Sequence, residues 1–255
     1  LVRGAPGTGK STLAQNLANA LGWDYYEFVV TSRTESRDLL WSFDHVDRLN
    51  DAYATAIDRT ERVRDKVHYV QPGPLFRAFD PRRAETIRKQ GGGEAPKPGA
   101  VVLIDEIDKA DPDLPNDLLV PLDAKRFVVD ALEPPEVRAR RPVFLVVSTN
   151  EERDLPQAFL RRCVVVTLER PTDDAQLRKI AAKHFGSEID GVLGPVIAAY
   201  LAAGEEAKGG DLRPPGTAEF IDALRACVEL AIADDGHPEF ALAIRAALWK
   251  HSDPG

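Results

Sequence analysis

Methionine is absent from all 255 residues, and cysteine occurs twice, as Cys163 and Cys227. Average usage of about 2% would place roughly five methionines in a chain of this size. The gap marks the chain as a fragment, as unusual in composition, or as a sequence from which residues have dropped out. Two cysteines exclude a disulfide framework, and neither stands in a metal-ligand spacing, which suits a reducing cytoplasm. No apolar run approaches about 18 residues, so no helix spanning a membrane is expected. The start Leu1-Val2-Arg3 has the layout of neither a signal peptide nor a transit peptide, and a cytoplasmic location is expected. Positive charge is in deficit, with 33 Lys and Arg against 41 Asp and Glu, a net charge of −8. That balance argues against nucleic acid as an obligate partner, although a local basic patch can coexist with it.

What is present begins three residues into the chain. Gly4-Ala5-Pro6-Gly7-Thr8-Gly9-Lys10-Ser11 is a complete G-x-x-x-x-G-K-[ST] loop. Glycines let successive N–H groups turn inward as a nest for phosphate oxygens. Lys10 can reach the β- and γ-phosphates, and Ser11 can place its hydroxyl on Mg²⁺. The segment Ser11 to Leu21 has Leu13, Leu17 and Leu21 at four-residue spacing beside Ala14 and Ala18, with Gly22 as a stop. This predicts an amphipathic helix whose positive end opens at the loop. Residues Gly4 to Thr12 are therefore the expected nucleotide-binding segment. The strand that should precede the loop is mostly missing, so the chain is expected to be incomplete at its start.

Apolar content of 44% and charged content of 29% describe a soluble globular chain of one large and one smaller domain. Tyr25 to Thr31 is aromatic and β-branched and predicts a strand. Residues 34–68 are charge-rich, with Leu39, Leu40, Phe43, Val46 and Leu49 on a helical stripe. Gln71 to Pro74 predicts a turn, Leu75 to Lys89 a helix, and Gly91-Gly92-Gly93 through Gly99 a flexible connection. Val101 to Ile104, Val143 to Val147 and Val164 to Leu168 are apolar runs of the kind found in parallel sheets, and Phe127 to Val129 is a further strand. Strands alternating with helices indicate a doubly wound α/β sheet with its ligand at the strand carboxyl ends. After Pro171 the pattern turns helical, with helices over Asp173 to His184, Val192 to Ala203, Thr217 to Ala233 and Phe240 to Lys250.

The chemistry-bearing positions fall at the ends of these runs. Asp105 closes the Val101–Ile104 strand and can hold Mg²⁺ opposite Ser11, with Glu106 placed as a general base for water. Two solvated acids capping a strand are the plain alternative. Asn150 ends the Val143–Val147 strand, where an amide can hold a phosphate or the attacking water, or can serve only as a turn former. Arg161 and Arg162 are surface charges or an arginine finger, with Arg162 ahead of Arg161.

In order, GAPGTGKS, VVLIDEID, VVSTN and LPQAFLRRC, followed by a helical segment, resemble the AAA+ ATPases, and within them the MoxR-like group. Gln71 to Phe76 (QPGPLF) is similar to a GP[LI]F segment of that group, and Ile104 to Ala110 (IDEIDKA) to its DEINRA. The resemblance implies a P-loop NTPase of three αβα layers over residues 1–170, with insertions near 31–75 and a hairpin at 126–141, and a helical lid over 171–255. It implies ATP and Mg²⁺ as ligands and a homo-oligomeric, hexameric ring in which Arg162 acts on the neighbour's nucleotide. Arg213 becomes the candidate lid arginine for the γ-phosphate, its alternative being a solvated residue before proline. The client implied is a protein, one with a von Willebrand A-type domain. DEID in place of DEIN and RRC in place of DRF depart from the group's pattern, and RRC also resembles the SRC element of clamp loaders. A DNA-dependent motor and a low-turnover nucleotide-gated switch are the competing readings. GTP is disfavoured because no N-K-x-D segment occurs.

Overall fold

The computed structural model describes residues 1–57, 63–88, 95–208 and 213–249. It divides into two compact units, one of Leu1–Arg3 with Ser11–Val166, the other of Gly4–Lys10 with the chain from Thr167 onward.

The first unit is built on a five-stranded sheet. Its strands are β1 (Val2–Arg3), β2 (Asp24–Val29), β5 (Ala100–Asp105), β8 (Val143–Thr149) and β9 (Val166–Thr167), in the order β2-β5-β8-β1-β9. The pairs β2–β5, β5–β8 and β8–β1 are parallel. This is the parallel α/β sheet that the alternation of apolar runs implies. Every residue from Ala100 to Ile104 is fully buried, because neighbours flank β5 on both edges and the sheet is covered on both faces. The register sets which strand ends meet: Val2 lies opposite Ser148 and Ile104 opposite Val147, so Asp105 and Ser148 emerge side by side.

Two antiparallel strand pairs lie outside this sheet: β3 (Trp41–Phe43) with β4 (Val70–Pro72), and β6 (Arg126–Val128) with β7 (Glu136–Arg138). The first pair corrects the helical reading of 34–68. The stripe is cut into α2 (Ser36–Leu40), β3 and α3 (His45–Ile57), and Val46 and Leu49 on α3 are 70% and 53% exposed. Alternation at Trp41 and Phe43 won because a partner strand supplied its hydrogen bonds, and that partner occupies part of the predicted Gln71–Pro74 turn. The expected helix at 75–89 is likewise two: α4 (Pro74–Phe79) and α5 (Pro81–Arg88). Pro81 pushes Asp80 out of the helical region, to φ −132° and ψ 77°. Lys89 and Gly91 to Gly93 lie outside the described residues.

Helix α1 (Lys10–Leu21) forms where predicted, but its leucines are not its buried face. Ala14 and Ala18 are fully buried, while Leu13 and Leu21 are 41% and 43% exposed. Small side chains let a helix backbone come closest to its support, and that decides the packed face. Val164 to Leu168 is also corrected, since only Val166–Thr167 is strand and Val164, Val165 and Val166 are 83%, 38% and 44% exposed. As the outermost strand, β9 lacks the second neighbour that buries β5. Short helices α6 (Leu114–Asp117), α7 (Leu119–Ala124) and α8 (Gln157–Leu160) complete the unit.

The second unit carries α9 (Asp174–His184), α10 (Asp190–Lys208), α11 (Thr217–Glu229) and α12 (Phe240–Leu248) around their own core of Leu177, Val196, Tyr200, Phe220 and Leu224. The third predicted helix ends four residues early, at Glu229, and Ala231 beyond it is left-handed at φ 53°. Lys250, the predicted end of the fourth, lies outside the described residues. No described helix is long and apolar enough to cross a membrane.

Candidate nucleotide site

In the first unit, the carboxyl ends of β5 and β8 bring four predicted or adjacent groups together. Ser11 Oγ donates to Asp105 Oδ2 at 2.6 Å, and Ser148 Oγ donates to Asp105 Oδ1. A carboxylate only accepts, so both hydroxyl protons are committed to Asp105 and the Ser11 lone pairs are left for a cation. No group of three or more His, Cys, Asp or Glu among the described residues could hold a metal unaided. A cation at Ser11 and Asp105 would have to complete its shell from phosphate oxygens or water, which is how Mg²⁺ is usually held.

Glu106 follows in a left-handed conformation, φ 59° and ψ 47°, which an L residue with a side chain adopts only when its surroundings hold it there. Its N–H donates to Ser148 Oγ at 3.0 Å. Its Oε2 accepts from Lys109 Nζ at 2.7 Å and its Oε1 from Asn150 Nδ2 at 3.4 Å. The carboxylate of Glu106 raises the Lys109 pKa and keeps that ammonium protonated. The Asn150 contact is long, of the sort that tightens or takes in a water when substrate binds. Asn150 is held in turn by Asp108, which is only 3% exposed. Asp108 Oδ2 accepts the N–H groups of Asn150 and Glu152 at 3.1 and 3.0 Å, while its Oδ1 is buried without a partner.

In the second unit, the loop Gly4–Lys10 wraps on itself. Lys10 is 6% exposed, and its Nζ donates to the carbonyls of Gly4 and Ala5 at 2.7 and 3.0 Å. Thr8 Oγ1 donates to the Ala5 carbonyl at 2.9 Å. Gly7 stands at φ 78°, a conformation that favours glycine, and a Cβ there would lie 2.8 Å from Glu219 Oε2 and displace that carboxylate. Arg213 Nη2 donates to the Pro6 carbonyl at 2.6 Å and to Glu219 Oε1 at 3.2 Å, while Glu219 Oε2 accepts the Gly216 N–H at 3.0 Å. The Nε of Arg213 is buried without a partner. Pro6, Gly7 and Arg213 are thus within one hydrogen-bonded group, although 207 residues separate Pro6 from Arg213. Gly210 to Leu212, which precede Arg213, lie outside the described residues.

The remaining predicted residues form no hydrogen bond with Asp105 or Glu106 among the described residues. Arg162 Nε donates to Asp123 at 2.9 Å and its Nη1 to the Ala158 carbonyl at 2.9 Å, and both Arg161 and Arg162 are exposed. Thr12 is exposed on α1. Ser148, Asp108, Lys109 and Glu219 were missed by sequence reasoning. Asp108 was signalled as the third acid of I-D-E-I-D, and Glu219 by its place three residues after Gly216, the spacing of a helix N-terminal box. Ser148 carried no separate signal, being one residue of a strand end.

Residues 1–163 match the AAA domain family, dynein-related subfamily. The match covers well over half of the chain, which belongs to that family of P-loop ATPases. Among solved structures, the chain is similar to a P216G mutant of RuvB from Thermotoga maritima, at 14% identity and a TM-score of 0.50, covering 96% of this chain and 60% of that one. It is similar also to a protein from Cytophaga hutchinsonii provisionally described as an ATPase, at 15% identity, TM-score 0.46, and 97% and 75% coverage. The chain therefore spans less than two thirds of the length of the RuvB chain. No curated protein matches it.

Proposed function

We propose that this AAA+ domain hydrolyses ATP with Mg²⁺ and uses the cycle to remodel or activate a partner protein. The observation that carries the reading is the grouping of Ser11, from the first turn of α1, with Asp105, Glu106 and Asn150 at two adjacent strand ends. Loop amides from Gly4 to Thr12 and the Lys10 ammonium hold the phosphates. Ser11 and Asp105 would hold Mg²⁺, which would supply neutralisation of phosphate charge. Lys10 and Ser11 are consecutive, so the lysine's phosphates and the serine's cation belong to one ligand. Glu106 accepts a proton from the attacking water, and Asn150, whose Nδ2 faces Glu106 Oε1, orients that water. The lid is the helical part from residue 171 on, and its Arg213 serves as the γ-phosphate sensor beside the loop.

Charge still has to be supplied on the far side of the phosphoryl group. Arg162, with Arg161 as the alternative, supplies it to a neighbouring subunit's nucleotide in a homo-oligomeric, hexameric ring. The MoxR-like assignment within AAA+ rests on Gln71 to Phe76 and Ile104 to Ala110. It makes the client a protein bearing a von Willebrand A-type domain, met through the segments 31–75 and 126–141, in the cytoplasm.

Glu106→Gln tests the chemistry. The variant keeps the side chain's shape, so ATP binding measured by fluorescence titration is expected to stay within about twofold. Phosphate release is expected to fall by ~10²–10⁴, the usual contribution of a general base. Turnover at the wild-type rate would remove Glu106 as the base.

A further inference from the structure

We infer that Ser148 is a positioning residue that locks the metal-binding carboxylate and the general base into one unit; this rests on the ATPase reading above. Ser148 is fully buried at the end of β8, with its single hydroxyl used in both directions. As donor it holds Asp105 Oδ1, and as acceptor it takes the Glu106 N–H at 3.0 Å. Asp105 is thus gripped on both oxygens, by Ser148 on one and by Ser11 on the other at 2.6 Å.

The polarity of these bonds leaves little freedom. Asp105 as a carboxylate cannot donate, and the Glu106 amide cannot accept, so the Ser148 proton can point only one way if both bonds are kept. Glu106 sits at φ 59°, a backbone state that an unsupported glutamate leaves readily. Its amide bond to Ser148 is what the structure offers to hold that state from the β8 side. The carboxylate is then aimed at Asn150, whose Nδ2 is 3.4 Å from Oε1 and which lies two residues beyond Ser148 on the same strand end. A shift of Asp105 would pass through one hydroxyl to the backbone of the base. Ser148 touches neither water nor phosphate in this scheme and acts through Asp105 and Glu106.

The test compares Ser148→Ala and Ser148→Thr with wild type. Three quantities are read: steady-state hydrolysis against Mg²⁺ and against ATP, Mn²⁺ affinity with ADP bound by electron paramagnetic resonance, and the melting midpoint. Ser148→Ala is expected to lower kcat by ~10–100-fold and to weaken Mn²⁺ several-fold, as loss of a group supporting a metal ligand does. The KM for ATP should change little, and Ser148→Thr should recover both losses. A wild-type kcat and Mn²⁺ affinity in Ser148→Ala would overturn the assignment. So would losses in both variants that only track a lowered melting midpoint. An inactive wild-type protein would instead sink the ATPase reading, and the Mn²⁺ comparison would still decide whether Ser148 supports Asp105.

Discussion

Replacing Asp108 with alanine should loosen the strand end that carries Asn150, and the size of the effect is set by the bonds Asp108 makes. The carboxylate is 3% exposed and accepts two backbone N–H groups, from Asn150 at 3.1 Å and Glu152 at 3.0 Å. Hydrogen bonds to a charged acceptor contribute about 1.5–3 kcal/mol each, so the gross loss is about 3–6 kcal/mol. Against it, Asp108 Oδ1 is buried without a partner, and removing that oxygen returns about 1–3 kcal/mol. With the low ends paired and the high ends paired, a net loss of roughly 2–3 kcal/mol remains, below the 5–15 kcal/mol or so of a typical domain, so the variant should fold. At about 2–4 °C per kcal/mol for a chain of this size, its melting midpoint should drop by roughly 4–12 °C. Hydrolysis should fall further than stability alone explains, because Asn150 and Glu152, on either side of the left-handed Glu151 at φ 61°, lose their anchor beside Glu106. A displacement of about 1 Å can cost on the order of a hundredfold in rate. Calorimetry and a phosphate-release assay at a temperature where both proteins are folded would measure the two effects separately. Asp108→Asn keeps an acceptor for both amides and should lie between wild type and Asp108→Ala. A melt within a degree or so of wild type would refute the hydrogen-bond argument. A lowered melt with an unchanged rate would show that Asp108 does not position Asn150.

Arg141→Ala removes a guanidinium 7% exposed that donates to Asp24, to the carbonyls of Ala78, Lys97 and Arg77 at 2.9, 2.9 and 3.1 Å, and to Tyr26 Oη at 3.3 Å. Urea unfolding should show a loss of about 3–5 kcal/mol, the range for breaking a buried ion pair. Arg141→Lys should recover little of it, since one ammonium cannot span those acceptors. Asp51, bonded by Arg64 and Tyr69, has its pKa lowered from 3.8 to about 2, chiefly by the Arg64 hydrogen bond. A depressed carboxylate stabilises the fold above its unfolded pKa and stops doing so as pH falls through its folded pKa. The stability difference between wild type and Asp51→Asn should thus be constant near neutrality, shrink between about pH 4 and 2, and vanish below; a constant gap down to pH 2 would contradict the cause given.

The loop Gly4 to Ser11 and the acids Asp105 and Glu106 were legible because their local spacing is itself the chemical requirement. A phosphate nest needs consecutive small residues, and a strand that ends in Asp-Glu needs only the apolar run before it. The same holds for the alternation of strands and helices, which needs no partner to be read. What could not be read were choices made by partners distant in sequence. Trp41 to Phe43 became a strand because Val70 to Pro72 came to lie beside it, and α1 buried Ala14 and Ala18 rather than its leucines because of what it packs on.

Within the site the division is the same. Residue identity alone determined that this chain carries a G-x-x-x-x-G-K-S loop, a strand ending in Asp105-Glu106 and an asparagine closing the next apolar strand, in the order an AAA+ domain carries them. Only the tertiary structure decided that β8 lies between β5 and β1, and hence that Ser148, opposite Val2, reaches Asp105 and Glu106. It alone decided that Asp108 would anchor Asn150 and that Glu219 would hold Arg213 at Pro6. Such contacts depend on strand order and on the direction of single hydrogen bonds, neither of which is encoded in a run of neighbouring residues.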